Sequence, residues 1–212
     1  MRTGKILVLG ATGGTGQQVV SQALEQGHDV TAFVRDPKGL TITHDHLRVL
    51  TGNIMDDGKA LDAAIHGQEV VISALGVGNS FKSGGLIKHS VPAIVRAMEA
   101  QGVRRLIFTS AYGVGTTRDV VPVVPRMFMR LLLRDVYADK EAGDDHIHRS
   151  TLDWTIVYPV TLTNGTKTGR YRVGEQLALR GVPKIARADV AHFLVSQIED
   201  GTYLRKGVLI GN

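Results

Sequence analysis

The sequence predicts a doubly wound α/β fold: a mostly parallel sheet with helices on both faces, built as a single domain over residues 1–212. Three observations carry this prediction. Short apolar runs alternate with segments of helical period along most of the chain. A glycine-rich turn joins the first run to the first helix. The length of 212 residues suits one domain and leaves no room for two of ordinary dinucleotide-binding size.

The elements follow in order. Lys5 to Leu9 is an apolar run ended by glycine and reads as a buried strand. Gly16 to Gln26 carries Val19, Val20, Ala23 and Leu24 at helical spacing, with Gly27 placed to end it. Asp29 to Val34 is the second strand, and Leu47 to Leu50 a weaker third. Lys59 to His66 reads as a short helix stopped by Gly67, and Glu69 to Ala74 as the fourth strand. Leu86 to Ala100 repeats apolar residues at Ile87, Val91, Ile94, Val95 and Met98, a 3.6-residue period. Arg104 to Thr109 is the fifth strand.

Residues 117–134 interrupt the rhythm. There Arg126, Arg130 and Arg134 share one helical face, with Met127, Phe128, Leu131 and Leu132 around it. The segment fits a lid over a flat ligand, an interfacial helix or an amphipathic surface helix. A helix across Asp139 to Arg149 and a strand from Asp153 to Val157 follow. Residues 158–186, broken by Gly165, Gly169, Gly174 and Gly181, read as an irregular segment on the substrate side. Asp189 to Ile198 is the last helix and Gly207 to Ile210 the last strand. Strands alternating with helices imply parallel units joined by right-handed crossovers.

Composition narrows the function. There is no cysteine, which excludes disulfides, thiolate metal sites and a cysteine nucleophile, and suits the cytoplasm. The first apolar run, Ile6 to Leu9, is too short for a signal peptide or a membrane span. The net charge of +5 is scattered and aromatics are only 5%, which argues against a nucleic-acid surface. His44-Asp45-His46 and Asp144-Asp145-His146-Ile147-His148 look like metal ligands. On a helix, however, residues two apart diverge, so these histidines predict no metal site.

The most informative motif is Gly10-Ala11-Thr12-Gly13-Gly14-Thr15-Gly16, after a strand and opening a helix. A pyrophosphate binds backbone N–H groups at a helix N-terminus, and glycines permit the tight turn and the close approach. The spacing is G-x-x-G-x-x-G, so Thr12 and Thr15 offer hydroxyls as further phosphate donors. The second strand ends at Arg35. A guanidinium there favours the 2′-phosphate of NADPH over the ribose hydroxyl of NADH, with Asp36 as the competing ribose ligand. Asn53 and Ile54 after the third strand, and Leu75, Gly76 and Val77 after the fourth, should also touch the cofactor.

GATGGTG, VRD after the second strand, FTSAYG after the fifth, LDWTIVYP in the sixth and ARADVAHFL in the last helix carry a resemblance. Over essentially the whole chain, the sequence resembles the atypical short-chain dehydrogenase/reductase family, nearest the biliverdin-IXβ reductase/flavin reductase type. The resemblance implies a Rossmann-like, monomeric NADPH-dependent oxidoreductase. It would transfer hydride to a flavin such as FMN, a biliverdin-like tetrapyrrole or a quinone. It also places Ser110 as the active-site serine, Tyr112 beside the nicotinamide and Pro159 at the cofactor. Lys140, with Tyr137, echoes a Tyr-x-x-x-Lys pair one residue short. Lys140 is thus a catalytic candidate or a contact of cofactor or solvent. Thr161 departs from the histidine those reductases often carry after the strand-six proline. Two other readings stand beside this one: a non-catalytic NADP(H)-binding redox sensor, and a short-chain dehydrogenase or epimerase acting on a small carbonyl.

Overall fold

The computed structural model describes residues 3–78, 80–120, 133–179 and 181–212. Its elements are β1 (Lys5–Leu9), α1 (Gly14–Glu25), β2 (Asp29–Val34), β3 (Leu47–Thr51), α2 (Gly58–Ile65), β4 (Val70–Ser73), α3 (Leu86–Ala100), β5 (Arg105–Thr109), α4 (Arg134–Arg149), β6 (Asp153–Pro159), β7 (Thr161–Thr163), β8 (Arg172–Gly174), β9 (Lys184–Ala186), α5 (Arg187–Ser196) and β10 (Lys206–Gly211). Two short 3-10 helices, Pro37–Gly39 and Gly115–Val120, complete them.

The main sheet has the order β3-β2-β1-β4-β5-β6-β10-β8. Every pairing is parallel except β8 on β10, where Val173 lies opposite Ile210. The chain runs from β1 outward through β2 to β3, then returns to place β4 on the other side of β1. Reversal of direction between β1 and β4 opens a crevice at their carboxyl ends. Because both faces of the sheet are covered, β1 and β4 are apolar runs without alternation, and Ile6, Leu7, Val8 and Leu9 have no solvent exposure. Helix α1 packs with α5, while α2 and α4 pack against α3. Among the described residues, no helix is long and apolar enough to cross a membrane.

Two sequence expectations are corrected. Residues 158–186 are not wholly irregular: they hold β7 and β9, which form a small parallel pair, and β8, which edges the main sheet. Strands of three residues are too short to show a period, and the surrounding glycines mask them further. Helix α4 begins at Arg134, not at Asp139. Its first turn is polar, and its reason for being helical is tertiary. Asp135 accepts the Ser83 amide at 2.5 Å, and Asp139 accepts the Ile87 and Lys88 amides at 3.0 and 2.8 Å. Asp139 satisfies the N-terminus of α3, whose own cap residue, Gly85, supplies no side chain, and Asp135 pins the loop just before it. Arg126–Leu132 lies outside the described residues; Arg134 is exposed at the start of α4.

Glycine matters most where α1 meets β1. A Cβ on Gly16 would stand 2.0 Å from the Gly10 carbonyl oxygen and 2.9 Å from the Ala11 Cα. Backbone cannot yield as a flexible side chain would. Gly16→Ala is therefore expected to lower stability by about 1–3 kcal/mol. Gly76→Ala, whose Cβ would meet nothing within 4 Å, should stay within about 0.5 kcal/mol of wild type. Urea unfolding of the two variants checks this; equal losses would contradict the packing argument.

Candidate active site

Parallel strands end together, so the residues following β1 to β6 gather along one edge. At the β1/β4 reversal that edge holds a cavity of about 320 Å³. Its walls include Gly10, Thr12 and Gly13 after β1, Arg35 at the tip of β2, Asn53 and Ile54 after β3, and Leu75 and Gly76 after β4. All eight were singled out from the sequence. Gly14, Thr15 and Gly16 continue from this wall as the first turn of α1, and Val77 lies between the lining residues Gly76 and Gly78. Gly52, just before Asn53 in the strand-end segment expected to touch the cofactor, lines the cavity too, and Phe33, Met55 and Leu86 line it without having been anticipated. Gly52 belongs there because a Cβ would collide with the Phe33 ring at 2.5 Å. A larger hollow of about 480 Å³ lies at the opposite edge, among Lys5, Asp29, His46 and Arg48. Ligands of such sheets bind at the carboxyl edge, so that hollow is set aside.

The glycine turn fits a pyrophosphate. Gly10 adopts φ +77°, where its missing Cβ avoids the Ala74 carbonyl oxygen at 2.7 Å. The Gly13 amide closes the turn onto the Gly10 carbonyl at 3.0 Å. Gly13, the cap residue of α1, supplies no side-chain acceptor, and the first turn holds no acid. The helix thus presents free N–H groups and its positive end to the exposed Gly13 and Gly14.

Arg35 is exposed and has no ion-pair partner among the described residues. Asp36, the competing ribose ligand, instead accepts the Lys38 amide at 2.9 Å and caps the Pro37–Gly39 turn. Asn53 lines the cavity, but its side chain shapes the turn: its Oδ1 accepts the Met55 amide at 3.2 Å and its Nδ2 donates to Asp56.

Ser110 and Pro159 stand at the adjacent ends of β5 and β6, both buried and outside the walls of this cavity. The Ser110 amide donates to the Val157 carbonyl, and the Tyr112 amide to the Pro159 carbonyl. Beneath this edge lies a polar cluster on α4. Ser110 Oγ donates to Asp144 Oδ2 at 3.0 Å. Tyr137 donates its hydroxyl to the Tyr112 carbonyl at 3.1 Å, and Lys140 Nζ donates to the Thr109 carbonyl at 3.4 Å. Lys140 is therefore buried against backbone, not turned to the cavity or to solvent. Burial lowers its pKa, although Asp144 and Asp139 oppose the shift. Burial also pushes Tyr137 up to about 12, and it raises Tyr112.

Asp144 was missed as a functional residue. The run from Asp144 to His148 reads only as an apparent metal-ligand stretch, whereas the spacing of four between Lys140 and Asp144 places both on one helix face. Burial pushes the Asp144 carboxyl up to about 7, against the Ser110 hydrogen bond and the Lys140 charge, which favour ionisation. Its Oδ1 has no hydrogen-bond partner, and the buried Tyr158 hydroxyl stands beside it without a well-formed bond.

The histidines scatter. His46 meets Asp29 at 2.6 Å on the exposed opposite edge, and His148 packs edge-on against Trp154. No cluster among the described residues has the ligands a metal ion needs.

Comparison with known proteins adds a family. The model described as NAD(P)H-binding matches residues 10–201. An uncharacterized chloroplastic protein of Arabidopsis thaliana is 29% identical over 177 residues, covering 80% of the chain; the match spans 63% of that relative's own length. A short-chain dehydrogenase/reductase of Veillonella parvula, solved in complex with NADP, superposes with a TM-score of 0.82 at 22% identity, covering 100% of this chain and 95% of that one. The anaerobilin reductase ChuY of Escherichia coli O157:H7 superposes with a TM-score of 0.79 at 21% identity, covering 97% and 96%. At these identities, the likeness of the two structures is one of fold.

The raised carboxyl gives a prediction with a definite sign. Between the unfolded carboxylate range and about 7, the folded chain holds a proton on Asp144 that the unfolded chain has released. Asp144 therefore makes stability fall as pH rises through that window. Asp144→Asn should flatten the dependence, so its denaturation midpoint gains on wild type between pH 5 and pH 8. Parallel profiles for the two proteins would show that Asp144 ionises normally.

Proposed function

The chain belongs to the NAD(P)H-binding family, and from that premise we propose that it is an NADPH-dependent oxidoreductase. Its acceptor is a flat molecule: a flavin such as FMN, a biliverdin-like tetrapyrrole or a quinone. It acts as a monomer in the cytoplasm. One observation carries the cofactor choice: an exposed Arg35 guanidinium, free of any described carboxylate, at the rim of the cavity beside the glycine turn. That geometry suits a 2′-phosphate, which a guanidinium binds with paired hydrogen bonds. The neighbour solved with NADP and the anaerobilin reductase of Escherichia coli support this choice of cofactor and acceptor class.

When bound, NADPH supplies the hydride. The chain's own residues bind, orient and stabilise. The turn from Gly10 to Gly16 holds the pyrophosphate on the amides of α1, with Thr12 and Thr15 as further donors. Ile54 and Leu75 bound the adenine side, and Asn53 fixes the shape of that wall. Ser110, Tyr112 and Pro159 form the nicotinamide end, with Val77 and Gly76 between the two regions. Ser110 meets negative charge developing on the acceptor by turning its hydroxyl proton away from Asp144, whose carboxyl, protonated below about 7, then donates to Ser110 Oγ in its place. Lys140 and Asp144 act from beneath, holding the β5 end and setting the potential at Ser110.

Loss of NADPH absorbance with FMN, a quinone and biliverdin tests the reading. Wild type should turn over with at least one acceptor and prefer NADPH to NADH in kcat/KM. Arg35→Ala should erase roughly tenfold or more of that preference. Ser110→Ala should lower kcat while leaving the NADPH Kd nearly unchanged. Nucleotide binding without turnover across the panel would favour the redox-sensor reading instead, and no NADPH preference in wild type would remove Arg35 from the assignment.

A further inference from the structure

Arg187 opens α5 and reaches across to the glycine turn. Its Cδ lies 2.8 Å, and its Nε 3.1 Å, from where a Cβ on Gly14 would stand. The guanidinium is thus laid over the first residue of α1. Electrostatics disfavours this place. The N-terminus of a helix is its positive pole, and a cation there is repelled. No carboxylate relieves the repulsion: no acid stands in the first turn of α1, and Arg187 forms no ion pair with any described residue. The nearest acid in sequence, Asp189, is already used. It accepts the Thr168 and Gly169 amides at 2.7 and 2.8 Å and the Thr168 hydroxyl at 2.8 Å.

The cation is nevertheless held firmly. Arg187 Nη1 donates to Asn164 Oδ1 at 2.6 Å. Helix α5 is fixed to α1 by Gln22, whose Nε2 donates to the Ala188 carbonyl at 2.9 Å. A half-buried cation, braced by a neutral amide and aimed at a positive helix end, is an arrangement completed by an anion.

The geometry points to Arg187 as a second cationic ligand of the dinucleotide, closing over its pyrophosphate from the α5 side, with Asn164 as its positioning residue. The assignment rests on the nucleotide-binding reading above. It divides the recognition between two arginines. Arg35 meets the 2′-phosphate and separates NADPH from NADH. Arg187 meets the pyrophosphate, which both cofactors share, and separates neither. A Cβ on Gly14 would displace the Arg187 stem from its place over the turn.

Calorimetric titration with NADP⁺, NAD⁺ and adenosine 2′-monophosphate tests the division. Arg187→Met should weaken NADP⁺ and NAD⁺ by the same factor, roughly tenfold or more, and leave adenosine 2′-monophosphate unchanged. Arg187→Lys should recover part of the loss. Arg35→Ala should do the reverse, weakening NADP⁺ and adenosine 2′-monophosphate while sparing NAD⁺. Should Arg187→Met fail to fold, Asn164→Ala keeps the cation but frees it, and a several-fold loss for both dinucleotides is expected. Unchanged NAD⁺ affinity in the folded variants, or equal weakening of all three ligands, would overturn the assignment of Arg187. Wild-type protein that binds neither dinucleotide would overturn the nucleotide reading itself.

Discussion

The candidate site depends on one close approach: the first turn of α1 resting on the Gly10 carbonyl. Only a glycine at position 16 allows it, since any Cβ would sit 2.0 Å from that oxygen. The approach fixes the direction of α1 relative to β1. Its uncapped amides then face the crevice where the sheet reverses between β1 and β4. Move the helix outward by the width of a methyl group, and the amides, the cavity wall at Thr12 and the span to Arg35 no longer share one surface. Close packing here is thus a condition for anion binding as well as for stability.

The other half of the edge is positioned from a different direction. Helix α4 caps α3 through Asp139 and holds the preceding loop through Asp135, which fixes α4 against the sheet. Gly143 permits the contact, because a Cβ there would meet Ile87 at 2.4 Å. With α4 so placed, Tyr137 and Lys140 reach the carbonyls of Tyr112 and Thr109, on either side of Ser110. The Ser110 turn is held by side chains that come from one helix and end on its backbone. The spacing of Tyr137 and Lys140, one residue short of the familiar pair, is compatible with that bracing because both donate to main chain.

What the sequence reveals follows from the range of the physics involved. Strands β1, β2 and β4 and helix α3 are legible because burial imposes a local period or run. The glycine turn and Arg35 are legible because their chemistry is carried by contiguous residues at a strand end. Other features arise only on folding. The helical start of α4 is stabilised by α3, some fifty residues away in the chain, and its own residues give little sign of it. Three-residue strands owe their existence to partners such as Leu209 and Ile210. Arg187 reads as one more surface cation in ARADVAHFL until α5 is packed on α1. Asp144 reads as a polar helix residue until β5 and β6 bury it.

The buried pair of Lys140 and Asp144 is not explained by stability. The two groups interact through their charges but form no direct ion pair. Burial opposes the charged form of each. Apolar residues of similar volume in such a place are often neutral or stabilising. Asp144 and the Tyr158 hydroxyl lie beside each other without a well-formed hydrogen bond, a further cost that a settled structural core would avoid. What sets the pair apart is position. It lies under the carboxyl end of β5, joined to Ser110 by a 3.0 Å hydrogen bond, in surroundings dry enough that its field is weakly screened. Groups shifted by burial and aimed at one polar atom are the arrangement from which proton and charge stabilisation at a reacting centre is built. The energetic disadvantage of the cluster and its location under the end of β5 therefore fit the role proposed for Ser110 better than a purely structural one.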